Sequence, residues 1–304
     1  MHYRELGKTG VHVSEVGLGC NRIGDKAQPD EFWMKLIQQA LDLGVTVFDT
    51  ATNYTGSRSE VILGQAIGNR DDVCIATKMS RSGYADGEGY SAKRMILSLE
   101  GSLKRLQRDR VDIFQLHSPK REEMEAYPDW AEGMSQLKAQ GKIRLRAVAV
   151  RTVDDALWLI EQNLVDVLQI TYNIFETEAS QLFSVAEEAG VGLLCRMPLA
   201  RGVLTGKFRL DQQNLGQHRA SLDGDTAFNR IKLVEDLRPL GDGYEGGLTR
   251  LAHHYSLTPS AISAIIPGAR TLDQLTENVN ASNGQGLSDS VHNQIMNIQT
   301  NWLM

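Results

Sequence analysis

Eight short apolar runs, each followed by a stretch of different periodicity, constrain this chain more than any other feature. The runs are EVGLG (15–19), VTVFD (45–49), DVCIATK (72–78), VDIFQLH (111–117), LRAVAV (145–150), DVLQITY (166–172), GVGLLCRM (190–197) and AISAIIPG (261–268). They read as near-continuous Val, Ile and Leu, the pattern of strands buried on both faces in a parallel sheet under helices. Between them lie amphipathic segments such as EFWMKLIQQALDLG, SAKRMILSLEGSLKRLQ and EASQLFSVAEEAG, several stopped by glycine. Eight such alternations predict an α/β fold, a (β/α)8 TIM barrel. An open doubly wound sheet would want a glycine-rich fingerprint after the first strand, and GLGCNRIG does not supply one.

The flanks fit the same picture. YREL and VHVS around Lys8-Thr9-Gly10 predict an N-terminal β-hairpin, and the chain closes on a further helix. No Pro/Ser-rich linker interrupts the rhythm, so residues 1–304 are expected to form a single domain. The polar stretch 208–246 breaks the rhythm between the seventh and eighth runs, where inserts in barrels usually overlie the catalytic face. Thirty-two basic against 38 acidic residues, a net charge of −6, leave no basic stripe, and no nucleic-acid partner is expected. The N-terminus lacks an apolar signal segment and no long apolar run occurs, so neither secretion nor membrane insertion is expected. Cys20, Cys74 and Cys195 are odd in number and widely spaced, which fits a reducing, cytoplasmic setting.

Barrel active sites form at the C-terminal ends of the strands. The second run ends at Asp49, with Tyr54 in the loop beyond; the third ends at Lys78 and the fourth at His117. Each alone reads as a cap, a solvated amine or a packing imidazole. Four together at consecutive strand ends read as a site. A phenol is a poor acid at neutral pH, an ammonium beside it stabilises the phenolate, and a carboxylate fixes the ammonium. An imidazole can hydrogen-bond a carbonyl oxygen as it gains charge. The set suits protonation of a carbonyl oxygen while hydride, which no side chain can supply, comes from a nicotinamide cofactor.

FDTATNY with the following SRSE, then IATK and VDIFQLHSP, resemble the signatures of the aldo-keto reductase family. The hairpin, GKIR (141–144), PLARGVLTGKF (198–208), IPGARTLDQLTEN (266–278) and the closing helix extend the resemblance over nearly the whole chain. It implies NADPH-dependent reduction of small aldehydes or ketones, with Tyr54 as general acid, Lys78 and Asp49 as its tuning pair and His117 as the carbonyl-orienting donor. It further implies that Gln169 holds the nicotinamide carboxamide and that Gly19, Cys20 and Asn21 border the cofactor. The pyrophosphate loop would comprise Pro198, Leu199, Ala200, Gly202, Leu204 and Lys207, with Arg201 or Lys207 neutralising phosphate. Gly268, Arg270, Glu277 and Asn278 would hold the adenine and 2′-phosphate, Arg270 favouring NADP.

Three departures stand out. Ala147-Val148-Ala149-Val150 replaces the family's usual Gly-Val-Ser-Asn, removing a hydroxyl and an amide that hold the carboxamide. Arg196, which the resemblance places among the cofactor-binding residues, stands where many members stack an aromatic ring on the nicotinamide. The stretch before the eighth run reads as short of the usual helix, leaving a stub, a remodelled wall, or LTRLAHHY sliding into the gap. Two rival readings stay open on this ground: a redox-neutral acid–base enzyme on the same barrel, and a non-catalytic nucleotide- or partner-binding barrel. Adjacent His253 and His254 face different sides of a helix and make a poor metal pair. Cys20 reads as an ordinary buried thiol, and Trp33, Trp130, Trp158 and Trp302 read as helix packing residues.

Overall fold

The computed structural model describes residues 1–80, 89–208 and 224–302. All eight apolar runs become strands. After the hairpin β1 (Tyr3–Glu5) and β2 (His12–Ser14) come β3 (Leu18–Gly19), β4 (Val47–Asp49), β5 (Cys74–Met79) and β6 (Val111–His117). They are followed by β7 (Ile143–Ala149), β8 (Val167–Thr171), β9 (Gly192–Arg196) and β10 (Ile262–Ile265). From β3 to β10 each strand pairs in parallel with the next. The first and last then meet: the Gly17 and Gly19 amides donate to the carbonyls of Ile265 (2.8 Å) and Pro267 (2.9 Å), and Ile265 N donates to Glu15 O (2.9 Å). Glycine is needed at this seam, because a Cβ on Gly19 would lie 2.7 Å from the Ile266 carbonyl.

Alternate residues of the strands fill the barrel, and the hairpin plugs its N-terminal end. Leu6, Val11 and Val13 from the hairpin pack on Val47, Ile113, Leu145 and Leu194 from the strands. The chain turns into that plug through Gly7 at φ +61°, where a Cβ would collide with the Gly190 carbonyl. The lower end is stoppered largely by apolar side chains, and the candidate site residues gather at the upper rim.

The outer helices form for ordinary amphipathic reasons. Helix Asp30–Asp42 buries Trp33, Leu36, Ile37 and Ala40, a 3–4 spacing that lays one stripe on the sheet. Helix Ala92–Leu106 buries Met95, Leu99, Leu103 and Leu106 and ends on Gln107 in the left-handed region. Trp33 and Trp130 lie in the core, while Trp158 and Trp302 pack half-buried against it, all four in helices.

The wall before the last strand is not left bare. LTRLAHHYSL forms helix Gly247–Leu257, which packs directly on β10, so neither a stub nor a remodelled wall results. The polar composition concealed this helix because its buried face carries histidines that find partners. His253 Nε2 lies 3.0 Å from Asn278 Oδ1, and His254 bridges the Tyr244 hydroxyl (2.6 Å) and the Ala281 carbonyl (2.8 Å). Of the insert 208–246, residues 209–223 lie outside the described residues; the rest includes helix Gly224–Asp242, which packs against the C-terminal helix Asp289–Trp302. Among the described residues no helix is long and apolar enough to cross a membrane.

The plug makes a direct prediction. Leu6 is fully buried, and Leu6→Ala should lower the unfolding free energy by about 2–5 kcal/mol in urea denaturation, the usual cost of a core cavity. An unchanged midpoint would show that the hairpin is not part of the cooperative core.

Candidate active site

The rim carries a chain of polar contacts centred on Asp49, the last residue of β4. Its Oδ2 accepts from Lys78 Nζ at 2.6 Å, and its Oδ1 accepts from Gln115 Nε2 (3.0 Å) and Gln169 Nε2 (2.9 Å). Lys78 is wholly buried; it also donates to the Thr50 carbonyl (2.8 Å) and reaches the Tyr54 hydroxyl at 3.5 Å. Tyr54 opens a short helical turn in the loop after β4. Thr55 and Gly56 take left-handed conformations there, and the Thr55 hydroxyl donates to Ile23 O at 2.7 Å. His117, last in β6, sets its ring edge-on to Tyr54 with centroids 5.7 Å apart. The four expected residues thus meet at one mouth.

Their electrostatics follow from burial and from the ion pair. Burial alone would lower the Lys78 ammonium, but Asp49 and Tyr54 outweigh it and the net shift is upward. Burial raises Tyr54 above the ordinary phenol, and Lys78 offsets only part of that, so the expected net lowering is not what the geometry yields. The phenol therefore stays protonated at neutral pH. His117 is pushed down to about 3 by burial, then by Lys78, Arg196 and Arg151, and its imidazole is neutral.

A cleft of about 1010 Å³ runs from this mouth across the barrel top. Asp49, Tyr54, His117 and Gln169 border one end. Gly19, Cys20 and Asn21 line its side, although the Cys20 thiol is fully buried, donates to Leu18 O (3.3 Å) and is raised well above its ordinary pKa by burial. Pro198, Leu199, Gly202 and Lys207 line the loop side, with Arg196 beneath them. Ala200 and Leu204 instead turn into the core below that loop. The loop is conformationally demanding, since Met197, Ala200 and Arg201 all have positive φ. Gly268, Arg270, Glu277 and Asn278 close the far end, where the Asn278 amide donates to the Gly268 carbonyl (3.3 Å).

Two residues that matter were not singled out from sequence. Gln115 is wholly buried and helps hold Asp49; its signal is a polar residue two positions before His117, on the same inward face of an apolar run. Arg22 lines the far end beside Arg270. Its Nη1 pairs with Asp25 at 2.8 Å, while its Nη2 is buried without a partner. That orphaned donor, a second arginine and the start of helix Leu272–Val279 suit a phosphate. The far end of the cleft therefore fits a phosphate group. At the near end Ala149 lies in register between His117 and Gln169 and brings no polar side chain.

Residues 15–300 match the family model described as "Aldo/keto reductase family". The chain is 28% identical over 298 residues to the uncharacterized oxidoreductase YqkF of Bacillus subtilis, covering 95% of this chain and 94% of that protein. It is 30% identical over 290 residues to an L-galactose dehydrogenase of Arabidopsis thaliana, covering 91% and 87%. Among solved structures, aldo-keto reductase AKR11C1 from Bacillus halodurans in its holo form superposes with a TM-score of 0.83 at 25% identity, covering 98% of this chain and 96% of that one.

The buried imidazoles set a pH dependence of stability. Burial holds His253 down to about 4 and His117 to about 3, whereas both titrate near 6.5 when unfolded. The unfolded chain then binds more protons, so stability is complete above pH about 6.5 and is lost progressively as the pH falls. Thermal melts from pH 7 to 4 should show Tm declining, with a shallower decline in His253→Asn. Equal slopes in the two proteins would remove His253 from this account.

Proposed function

The chain belongs to the Aldo/keto reductase family, and we propose that it is an oxidoreductase reducing an aldehyde or ketone with NADPH. The observation that carries this reading is the contact chain Asp49–Lys78–Tyr54 beside a neutral His117, at one end of a cleft whose other end holds Arg22 and Arg270. In this reading Arg22, Arg270 and the loop from Pro198 to Lys207 hold the phosphates, and Gln169 faces the nicotinamide. The bound coenzyme supplies hydride to the carbonyl carbon.

The chain's own residues manage the proton. Tyr54 donates its phenolic hydrogen to the carbonyl oxygen as that oxygen gains charge. The phenolate left behind would be costly in so buried a place, and Lys78, 3.5 Å away, stabilises it. Asp49 keeps Lys78 charged and in position, while Gln115 and Gln169 satisfy the second oxygen of Asp49. A neutral His117 offers an N–H to the same carbonyl oxygen without competing as an acid, because its charged form is disfavoured. Arg22 and Arg270 would anchor the coenzyme's phosphates, and Ala149 and Val150 would offer no side-chain hydrogen bond to its ring.

Tyr54→Phe removes one hydroxyl and keeps the ring. Reduction of a simple aldehyde should fall by at least about a hundredfold, the scale of general acid catalysis, while NADPH affinity by fluorescence titration stays within a few-fold. Retention of most of the wild-type kcat would remove Tyr54 from the role of acid. Failure of the wild-type protein to bind NADPH would overturn the reductase reading and leave redox-neutral acid–base chemistry.

A further inference from the structure

The helix Gly247–Leu257 does more than close the barrel wall. Thr249, in its first turn, borders the cleft, and His253 lies one turn further along the same helix. His253 is fully buried. Its side chain meets Asn278 of helix Leu272–Val279, and Asn278 borders the far end of the cleft. A buried imidazole with no part in the proton chemistry thus stands directly behind a residue of the cleft wall.

The contacts around Asn278 fix the direction of each hydrogen bond. The Gly268 oxygen is a backbone carbonyl and can only accept, so the Asn278 atom 3.3 Å from it is the amide nitrogen. The oxygen of the same amide then faces His253 Nε2 at 3.0 Å. That oxygen can only accept, so Nε2 carries the imidazole hydrogen. The other ring nitrogen, Nδ1, is left as a bare acceptor, buried without a partner. The opposite tautomer would set two lone pairs against each other and strand an N–H at that unpartnered position. Burial holds His253 down to about 4, so the ring is neutral at pH 7 and has one hydrogen to give.

The other end of the chain is held firmly. Gly268 bridges Gly19 across the barrel seam, and a Cβ on it would lie 3.2 Å from the Asn21 side-chain oxygen. Asn278 is only 4% exposed. One of its two amide hydrogens goes to Gly268, and no other described residue accepts the second. Removal of His253 would orphan the amide oxygen in the interior, and the amide would gain by turning that oxygen towards the open cleft.

We propose that His253 is a positioning residue for the far end of the cleft: it holds the Asn278 amide so that a free N–H, and not the oxygen, is offered to an acceptor atom of the ligand. The ligand is the phosphoadenosine end of the coenzyme, so its identity rests on the reductase reading, while the imidazole tautomer and the amide orientation do not.

Two measurements test this. Nitrogen-15 NMR of the histidine-labelled wild-type protein at pH 7, with the His253 signal identified by its loss in His253→Gln, should show the neutral tautomer protonated on Nε2. Calorimetric titration with 2′,5′-ADP, which carries the phosphoadenosine and no nicotinamide, reads the far end alone. His253→Phe keeps a ring and removes the donor. It should weaken 2′,5′-ADP roughly three- to tenfold, the scale of one hydrogen bond, and raise the KM for NADPH in step, with kcat changing less. His253→Gln, whose amide nitrogen can stand where Nε2 stood, should recover most of the loss. Asn278→Ala should cost about as much as His253→Phe, and the combined variant no more than either alone. Unchanged affinity in His253→Phe, additive losses in the combined variant, or a ring protonated on Nδ1 overturns the proposal and leaves the reductase reading intact. The NMR result decides by itself if His253→Phe does not fold. A wild-type protein that shows all these effects yet reduces no aldehyde would sink the reductase reading and leave His253 in this role; one that does not bind 2′,5′-ADP would overturn both.

Discussion

The buried pair of Asp49 and Lys78 is the constraint on which the rest of the site depends. Two charges withdrawn from water are stable only when their geometry is close and their remaining hydrogen-bonding capacity is used. Here both conditions are met by neighbours from four strands. Asp49 ends β4 and Lys78 lies in β5, while Gln115 of β6 and Gln169 of β8 each donate to the second carboxylate oxygen. A closed barrel is what allows residues 120 positions apart, Asp49 and Gln169, to meet inside one layer of side chains. The pair in turn holds a cation within reach of Tyr54, and the same positive charge helps keep His117 neutral.

The barrel was legible because its determinants are local and repeated. Each apolar run must be buried on both faces, and eight of them separated by amphipathic stretches allow few other arrangements. The four polar residues at the rim were legible because they stand at or just beyond strand ends, where the chain leaves the sheet. What escaped the sequence reading depends on pairing between distant segments. The helix Gly247–Leu257 looked unconvincing because His253 and His254 sit on its buried face; they are tolerated only because Asn278, Tyr244 and Ala281 meet them in three dimensions. Gln115 sat inside an apolar run and would have been found by reading its inward alternation with His117. Arg22 carries no periodicity at all, and only the orphaned Nη2 in the folded cleft marks it. The pKa of Tyr54 was misjudged because a neighbouring ammonium can be weighed from sequence while the depth of burial cannot.

The cleft has two cationic ends with different chemistry. At the far end Arg22 and Arg270 extend from the loops after the first and last strands, which the seam at Gly17 and Gly19 draws together. At the near end Arg196, the last residue of β9, donates to Ser118 Oγ, and Arg151, just beyond β7, donates to the Ser118 carbonyl. Ala149 and Val150, at and just after the end of β7, are buried and bring no polar side chain. At this end the Arg196 guanidinium donates to the Val150 carbonyl.

The central claim is that Asp49 and Lys78 act as one unit, each making the other's burial tolerable. A double-mutant cycle on unfolding free energy at neutral pH measures this most directly, using Asp49→Asn, Lys78→Met and the combined variant. The account predicts that each single change costs about 3–5 kcal/mol, because it strands a buried charge, and that the double variant costs clearly less than the sum. Additive losses, or single variants as stable as the wild type, would contradict it.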